Sequence, residues 1–124
     1  NDKPIPVYGN GKNVRDWLYV LDHCSAIQKV MVKGKAGEIY NIAGNNEINN
    51  NTIIKMILKS MKKPTSLIKY VKDRPGHDFR YSLDSTKIEK ELKWKPKYNF
   101  ENGIKETILW YVNNKNWWKR LSHT

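Results

Sequence analysis

Cysteine is almost missing from this sequence: Cys24 stands alone among 124 residues, so no internal disulfide can form. With only His23, His77 and His123 to join it, the same scarcity removes a Cys-rich zinc site. A reducing, cytoplasmic setting is the expectation. Long apolar runs are lacking as well. The longest, such as Trp17 to Leu21, reach about five residues, whereas a membrane span needs about 18. A soluble protein without a membrane partner is expected. Acidic residues are scarce, with 12 Asp plus Glu against 23 Lys plus Arg, a formal net charge of +11. Arginine is scarcer still: Arg15, Arg74, Arg80 and Arg120 are the four, and the other cations are lysines scattered from Lys3 to Lys119. A chain opening on Asn1-Asp2-Lys3-Pro4, with neither Met nor signal-like segment, is expected to be cut from a longer one.

The positive charge raises nucleic-acid binding as a reading. Its distribution argues for solvated surface lysine, because the longest lysine run is Lys62-Lys63 and no basic stripe forms.

What is present is a series of alternating elements without repeats or low-complexity linkers. Ile5–Tyr8 and Val14–Val20 have strand character, and Gly9-Asn10-Gly11-Lys12 between them suits a hairpin turn that would bring Tyr8 near Arg15. Asp22 is the expected N-cap of a helix carrying Ala26, Ile27, Val30 and Met31 and stopped by Gly34. Glu38–Ile42 is expected as a strand. A polar loop from Gly44 to Asn51 leads to a helix with Ile53, Ile54, Ile57, Leu58 and Met61 on one face and Pro64 beyond its end. Ile68–Val71 is the next strand. Asp84 is placed to cap a short helix with Ile88 and Leu92, and Phe100-Glu101 open a final helix running toward Trp117-Trp118. Helices interleaved with short strands give a mixed α/β (α+β) unit over residues 1–124.

Several motifs carry less than their letters suggest. Tyr111 and Lys115 have the Tyr-x-x-x-Lys spacing of a dehydrogenase pair, but no Gly-rich strand-to-helix turn precedes them. Gly9-Asn10-Gly11 lacks the third glycine and following helix of a dinucleotide fingerprint. Gly34-Lys35-Ala36-Gly37 matches the Gly-x-x-Gly of RNA-binding KH modules, yet it leads from a helix toward strand-like residues. The aromatics Trp110, Tyr111, Trp117 and Trp118 suit packing against a neighbouring domain better than a membrane interface.

Two stretches are more informative. Asp73-Arg74-Pro75-Gly76-His77-Asp78 is a rigid Pro-Gly turn projecting an arginine and a histidine, the donors an anion requires. Its alternative is a surface turn whose Arg74 pairs with Asp73 or Asp78. In Arg15-Asp16-Trp17-Leu18-Tyr19-Val20, Arg15 has no evident structural task, and two loop arginines are candidates for a pyrophosphate clamp.

Together with Pro6-Val7-Tyr8-Gly9, Gly37-Glu38-Ile39-Tyr40-Asn41-Ile42, Asn46-Glu47, Arg80-Tyr81 and Trp94-Lys95-Pro96, these stretches occur in an order that strongly resembles the dTDP-glucose 4,6-dehydratases, a family of extended short-chain dehydrogenases. Ala43 departs from the glycine usual after Tyr-Asn-Ile, and the loop before Ile68 is short. The resemblance implies the small C-terminal substrate-binding domain, without the Rossmann domain. It further implies an enzyme that oxidises the sugar at C4 with NAD, eliminates water across C5 and C6, and returns the hydride to C6. NAD and the catalytic Tyr and Lys would belong to an N-terminal domain that residues 1–124 lack, leaving these residues inactive alone. By the same resemblance Pro6 and Tyr8 line the thymidine pocket, and Arg15, Asn50, Arg74 and His77 hold the ribose and diphosphate. The implied partners are a dTDP-sugar, the enzyme's own Rossmann domain and a second subunit of a homodimer, with no nucleic acid. The alternatives are a related nucleotide-sugar epimerase or dehydratase domain and a basic nucleic-acid-binding module.

Overall fold

The computed structural model describes residues 2–121, so His123 lies outside it. Two small sheets form. Strand β1 (Ile5–Tyr8) pairs in parallel with β4 (Ile68–Val71), Ile5 opposite Ile68 and Tyr8 opposite Val71. The second sheet has the order β3-β2-β5, with β2 (Val14–Asp16) antiparallel to β3 (Glu47–Asn49) and parallel to β5 (Arg80–Tyr81).

The hairpin expected between β1 and β2 therefore does not exist. The glycine turn does, with Gly9 at φ 58°, Gly11 at φ 67° and the Gly11 N–H on the Tyr8 carbonyl. Its exposed carbonyls are taken by the start of helix α2 (Asn50–Ser60): the Asn51 N–H reaches Gly11 O, its side-chain amide reaches Asn10 O, and the Asn50 N–H reaches Asn13 O. Helix-end donors have no partner within their own helix, so a loop that supplies acceptors is pinned there and led into the other sheet.

Strand β2 ends at Asp16 because helix α1 (Val20–Lys33) already begins at Val20. Asp22 is not its cap; Tyr19 occupies that position without a side-chain bond. Asp22 sits in the first turn, 2% exposed, and accepts the N–H groups of Lys97 and Tyr98 at 3.0 Å each. Glu38–Ile42 forms no strand. Tyr40 and Ile42 pack against Ala26, Ile88, Leu92 and Trp94 instead, while Ile39 is exposed. The strand lies inside the stretch expected as loop, at Glu47–Asn49.

Helix α2 follows its sequence pattern: Ile53 and Leu58 are buried, and the Asn49 side chain caps it by accepting the Thr52 N–H. Helix α3 (Thr86–Leu92) buries Ile88 and Leu92 against α1; Ser85 is at the cap position and the Asp84 carboxylate accepts the Thr86 N–H. Helix α4 (Phe100–Asn113) packs on α2 and stops at Asn114, after which α5 (Lys115–Lys119) starts afresh. That break separates Tyr111 from Lys115, so the pair does not share one continuous helix face.

Candidate functional site

The C-terminal ends of parallel β1 and β4 lead into two loops, residues 9–13 and 72–79, and these loops build the polar cluster. Arg74-Pro75-Gly76-His77 is a turn with the His77 N–H on the Arg74 carbonyl and Gly76 at φ 66°, the arrangement of a type II turn with Pro and Gly at its centre. The turn returns both side chains toward β1. The Arg74 guanidinium lies 5.1 Å from the Tyr8 ring centroid, and the His77 ring meets Tyr8 edge-on at 6.4 Å.

Asp73 organises this turn. Its Oδ1 accepts the Arg74 N–H at 2.8 Å and the His77 Nδ1 at 2.7 Å. The hydrogen bond from His77, helped by that from the Arg74 N–H, holds the Asp73 carboxyl below its ordinary value. The turn is thus self-paired through its histidine. Among the described residues, no carboxylate lies within ion-pair distance of the Arg74 guanidinium, and Asp78 contributes its backbone carbonyl rather than its charge.

That carbonyl collects the second layer. It accepts Asn13 Nδ2 at 3.1 Å and Arg15 Nη2 at 2.9 Å, while Arg15 Nη1 donates to Val14 O at 2.7 Å. Arg15 therefore has a structural task that its sequence did not disclose, though a guanidinium carries five N–H groups and two are used here. Asn50, at the start of α2, joins through its backbone bond to Asn13. Pro6 shares the outward face of β1 with Tyr8, opposite buried Val7. Of the six expected site residues, Tyr8, Arg74 and His77 touch directly, Arg15 and Asn50 are linked through Asp78 and Asn13, and Pro6 lies two residues along the strand. Tyr8 is near Arg74 and His77, in a different sheet from Arg15.

Two participants were not singled out in the sequence. Asn13 is 4% exposed and bridges both loops; an Asn in a Gly-Asn-Gly neighbourhood looks like turn chemistry, so nothing marked it. Gly9 is the other. A Cβ there would lie 2.6 Å from Asp73 Oδ2, so the glycine makes room for the carboxylate that holds His77.

Two apolar concavities lie elsewhere. A cavity of about 600 Å³ is lined by Trp17, Tyr19, Tyr98, Phe100, Ile104 and Trp110, and a second of about 520 Å³ lies on the far side of α4 beside Ile57, Ile108 and Trp118. The first is predominantly apolar and has no lysine or arginine in its lining, whereas Lys63, Lys115 and Lys119 stand among the residues lining the second. No Gly-rich strand-to-helix turn for a dinucleotide occurs among the described residues: Gly9-Asn10-Gly11 leads into β2, and the junctions β2–α1, β3–α2 and β5–α3 contain no glycine. No group of His, Cys, Asp and Glu suited to a metal ion, and no helix long and apolar enough to cross a membrane, occurs among the described residues.

The family profile described as GDP-mannose 4,6 dehydratase matches residues 1–107. The chain is 49% identical to the dTDP-glucose 4,6-dehydratase of Escherichia coli over 96% of its length, covering 36% of that protein. Solved dTDP-glucose 4,6-dehydratases share the fold. That of Bacillus anthracis, in complex with NAD, is 50% identical with a TM-score of 0.89, and 96% of this chain covers 38% of it. DesIV of Streptomyces venezuelae, with NAD bound, is 44% identical with a TM-score of 0.91, and 96% of this chain covers 37% of it. The chain spans little more than a third of the length of these relatives. Its motifs, its fold and these matches agree that it belongs to the GDP-mannose 4,6 dehydratase family, with sequence and structure similar to the dTDP-glucose 4,6-dehydratases within it.

Proposed function

We propose that residues 1–124 are the C-terminal, nucleotide-sugar-binding part of a dTDP-glucose 4,6-dehydratase. The observation that carries this reading is the convergence of Tyr8, at the end of β1, with Arg74 and His77 of the 72–79 loop, where, among the described residues, no carboxylate stands within ion-pair distance of the Arg74 guanidinium. A planar cation with free N–H groups matches diphosphate oxygens, and an adjacent aromatic face suits a base or sugar. Tyr8 and Pro6 flank the thymine, and Arg74 and Arg15 meet the diphosphate. His77 adds a hydrogen bond, and Asn50 adds one at the ribose end.

The chemistry of the whole enzyme is C4 oxidation, loss of water across C5 and C6, and reduction at C6. NAD supplies the hydride acceptor and donor in that scheme and is held by a separate Rossmann domain. The chain's own residues bind and orient the nucleotide end, which places the hexose toward that domain. The complete enzyme is a cytoplasmic homodimer in this reading.

Calorimetric titration of the chain with thymidine diphosphate, uridine diphosphate, NAD and a labelled oligonucleotide tests the assignment. Thymidine diphosphate should bind best and displace the oligonucleotide, with no keto-sugar formed from dTDP-glucose. Preference for uridine diphosphate would favour an epimerase domain. Oligonucleotide binding that thymidine diphosphate cannot displace would favour a basic nucleic-acid module.

A further inference from the structure

We infer that Asp73 is a positioning residue which keeps a proton on His77 Nδ1, so that Nε2 is the nitrogen offered to a bound diphosphate, to which it can donate only as the imidazolium. The inference rests on the diphosphate site proposed above and specifies how that site is charged.

The Nδ1–Oδ1 separation is 2.7 Å, and an ionised carboxylate only accepts, so Nδ1 must donate. Asn13 Nδ2 lies 3.4 Å from the same nitrogen and would need it as an acceptor. One nitrogen cannot do both in a neutral ring, and the shorter bond to a charged acceptor prevails. Asn13 has its alternative at the Asp78 carbonyl. The carboxylate is itself fixed: Oδ1 also accepts the Arg74 N–H, and Oδ2 lies in the space left by the missing side chain of Gly9. The His77 side chain is 7% exposed, and Tyr8, Asp73 and Asn13 enclose it, so exchanging its nitrogens by rotation would require displacing neighbours.

In this tautomer the neutral ring presents a lone pair at Nε2, which repels a phosphate oxygen. The imidazolium presents an N–H there. The charged groups around the ring are Asp73, Arg74 and Asp78 on its own loop, Tyr8 on β1, and Arg15 on β2 acting through the Asp78 carbonyl. A diphosphate bound there would accept that N–H together with the guanidinium N–H groups of Arg74.

The test combines histidine nitrogen NMR of the chain without ligand and thymidine diphosphate titrations near pH 8 and pH 6. Neutral His77 should carry its proton on Nδ1. Relative to His77→Gln at each pH, which cancels the ionisation of the nucleotide, wild-type affinity should improve roughly ten- to a hundredfold on acidification, the scale of one charge-assisted hydrogen bond. Asp73→Asn should mix the tautomers and abolish that gain. A neutral wild-type ring protonated on Nε2, or equal pH profiles for wild type and Asp73→Asn, would overturn the inference. The NMR result judges Asp73 without any ligand. Failure of thymidine diphosphate to bind wild type at either pH, with Nδ1 protonated, would instead remove the substrate assignment and the pH dependence that rests on it.

Discussion

Arg74 faces the ring of Tyr8 at 5.1 Å while the carboxylate next to it, Asp73, is engaged by His77. The arginine is held by an aromatic face that does not neutralise it. Arg74→Ala should weaken thymidine diphosphate binding by roughly 1.5 to 3 kcal/mol, the worth of hydrogen bonds to a charged group, with little change in melting temperature. Arg74→Lys should recover only part, because an ammonium cannot present a planar fork. Calorimetry on both variants checks this; unchanged affinity with a lowered melting temperature would mark the turn as purely structural.

Gly9 links the two loops through the space it leaves for Asp73. Gly9→Ala must place a side chain at φ 58° and beside Asp73 Oδ2. A cost of roughly 1 to 3 kcal/mol in stability is expected, together with loss of the His77 tautomer preference. Thermal melts and histidine NMR on the same sample measure the two effects.

Asp22 joins the start of α1 to residues 97 and 98 through two hydrogen bonds to a carboxylate that is 2% exposed. Asp22→Ala should destabilise the chain by about 2 to 5 kcal/mol, because two backbone N–H groups lose a buried charged acceptor. Chemical denaturation should show a lower midpoint. Diphosphate binding, measured where the variant is folded, should persist.

The carboxyls of Asp73, Glu47, Glu38 and Asp2 are each held below their ordinary values, chiefly by hydrogen bonds from His77, Arg80, Lys87 and Lys63 respectively. A carboxyl lowered on folding contributes stability above its unfolded value, and that contribution is lost as pH falls through the folded one. The melting temperature should therefore hold through mildly acidic solution and drop below about pH 4. Glu47→Gln, which breaks the bidentate pair with Arg80 across β2, should flatten part of that drop.

Helix α4 leaves Trp110 and Tyr111 exposed, and Trp117 on α5 stacks edge-on against Trp110 at 5.2 Å while remaining 59% exposed. With about 600 Å³ of apolar cavity beside them, the chain should bind a hydrophobic dye and self-associate with concentration. Trp118, tied to the Tyr111 carbonyl, should contribute less. Sedimentation and dye fluorescence test this; a monodisperse monomer that binds no dye would contradict it.

Features set by near neighbours were legible in the sequence. The spacing of Ile53, Ile54, Ile57 and Leu58 gave α2, and Pro75-Gly76 gave the turn that aims Arg74 and His77. Features set by distant partners were not. Gly9-Asn10-Gly11 has the local chemistry of a hairpin, and only the pairing of Ile5 with Ile68 and the demand of α2 for acceptors reveal where it leads. Asp22 illustrates the same limit, because a carboxylate that caps its own helix and one that bridges to residue 97 look alike in one dimension. Ile27 and Met31 keep helical spacing yet remain exposed, since α1 buries a narrower stripe around Ala26. The site residues were found from resemblance and from their charge in loops. Asn13 and Gly9, which hold them, carry no such mark.

The most direct measurement is an amide NMR titration of the isotopically labelled chain with thymidine diphosphate. The account predicts saturable shifts concentrated in residues 6–15, 50–51 and 72–79, displaced to higher ligand concentration in Arg74→Ala, while residues of α4 and α5 stay unmoved. Shifts centred on Trp110, Tyr111 and Trp117 with the two loops silent, or no saturable shifts in a folded chain, would contradict it.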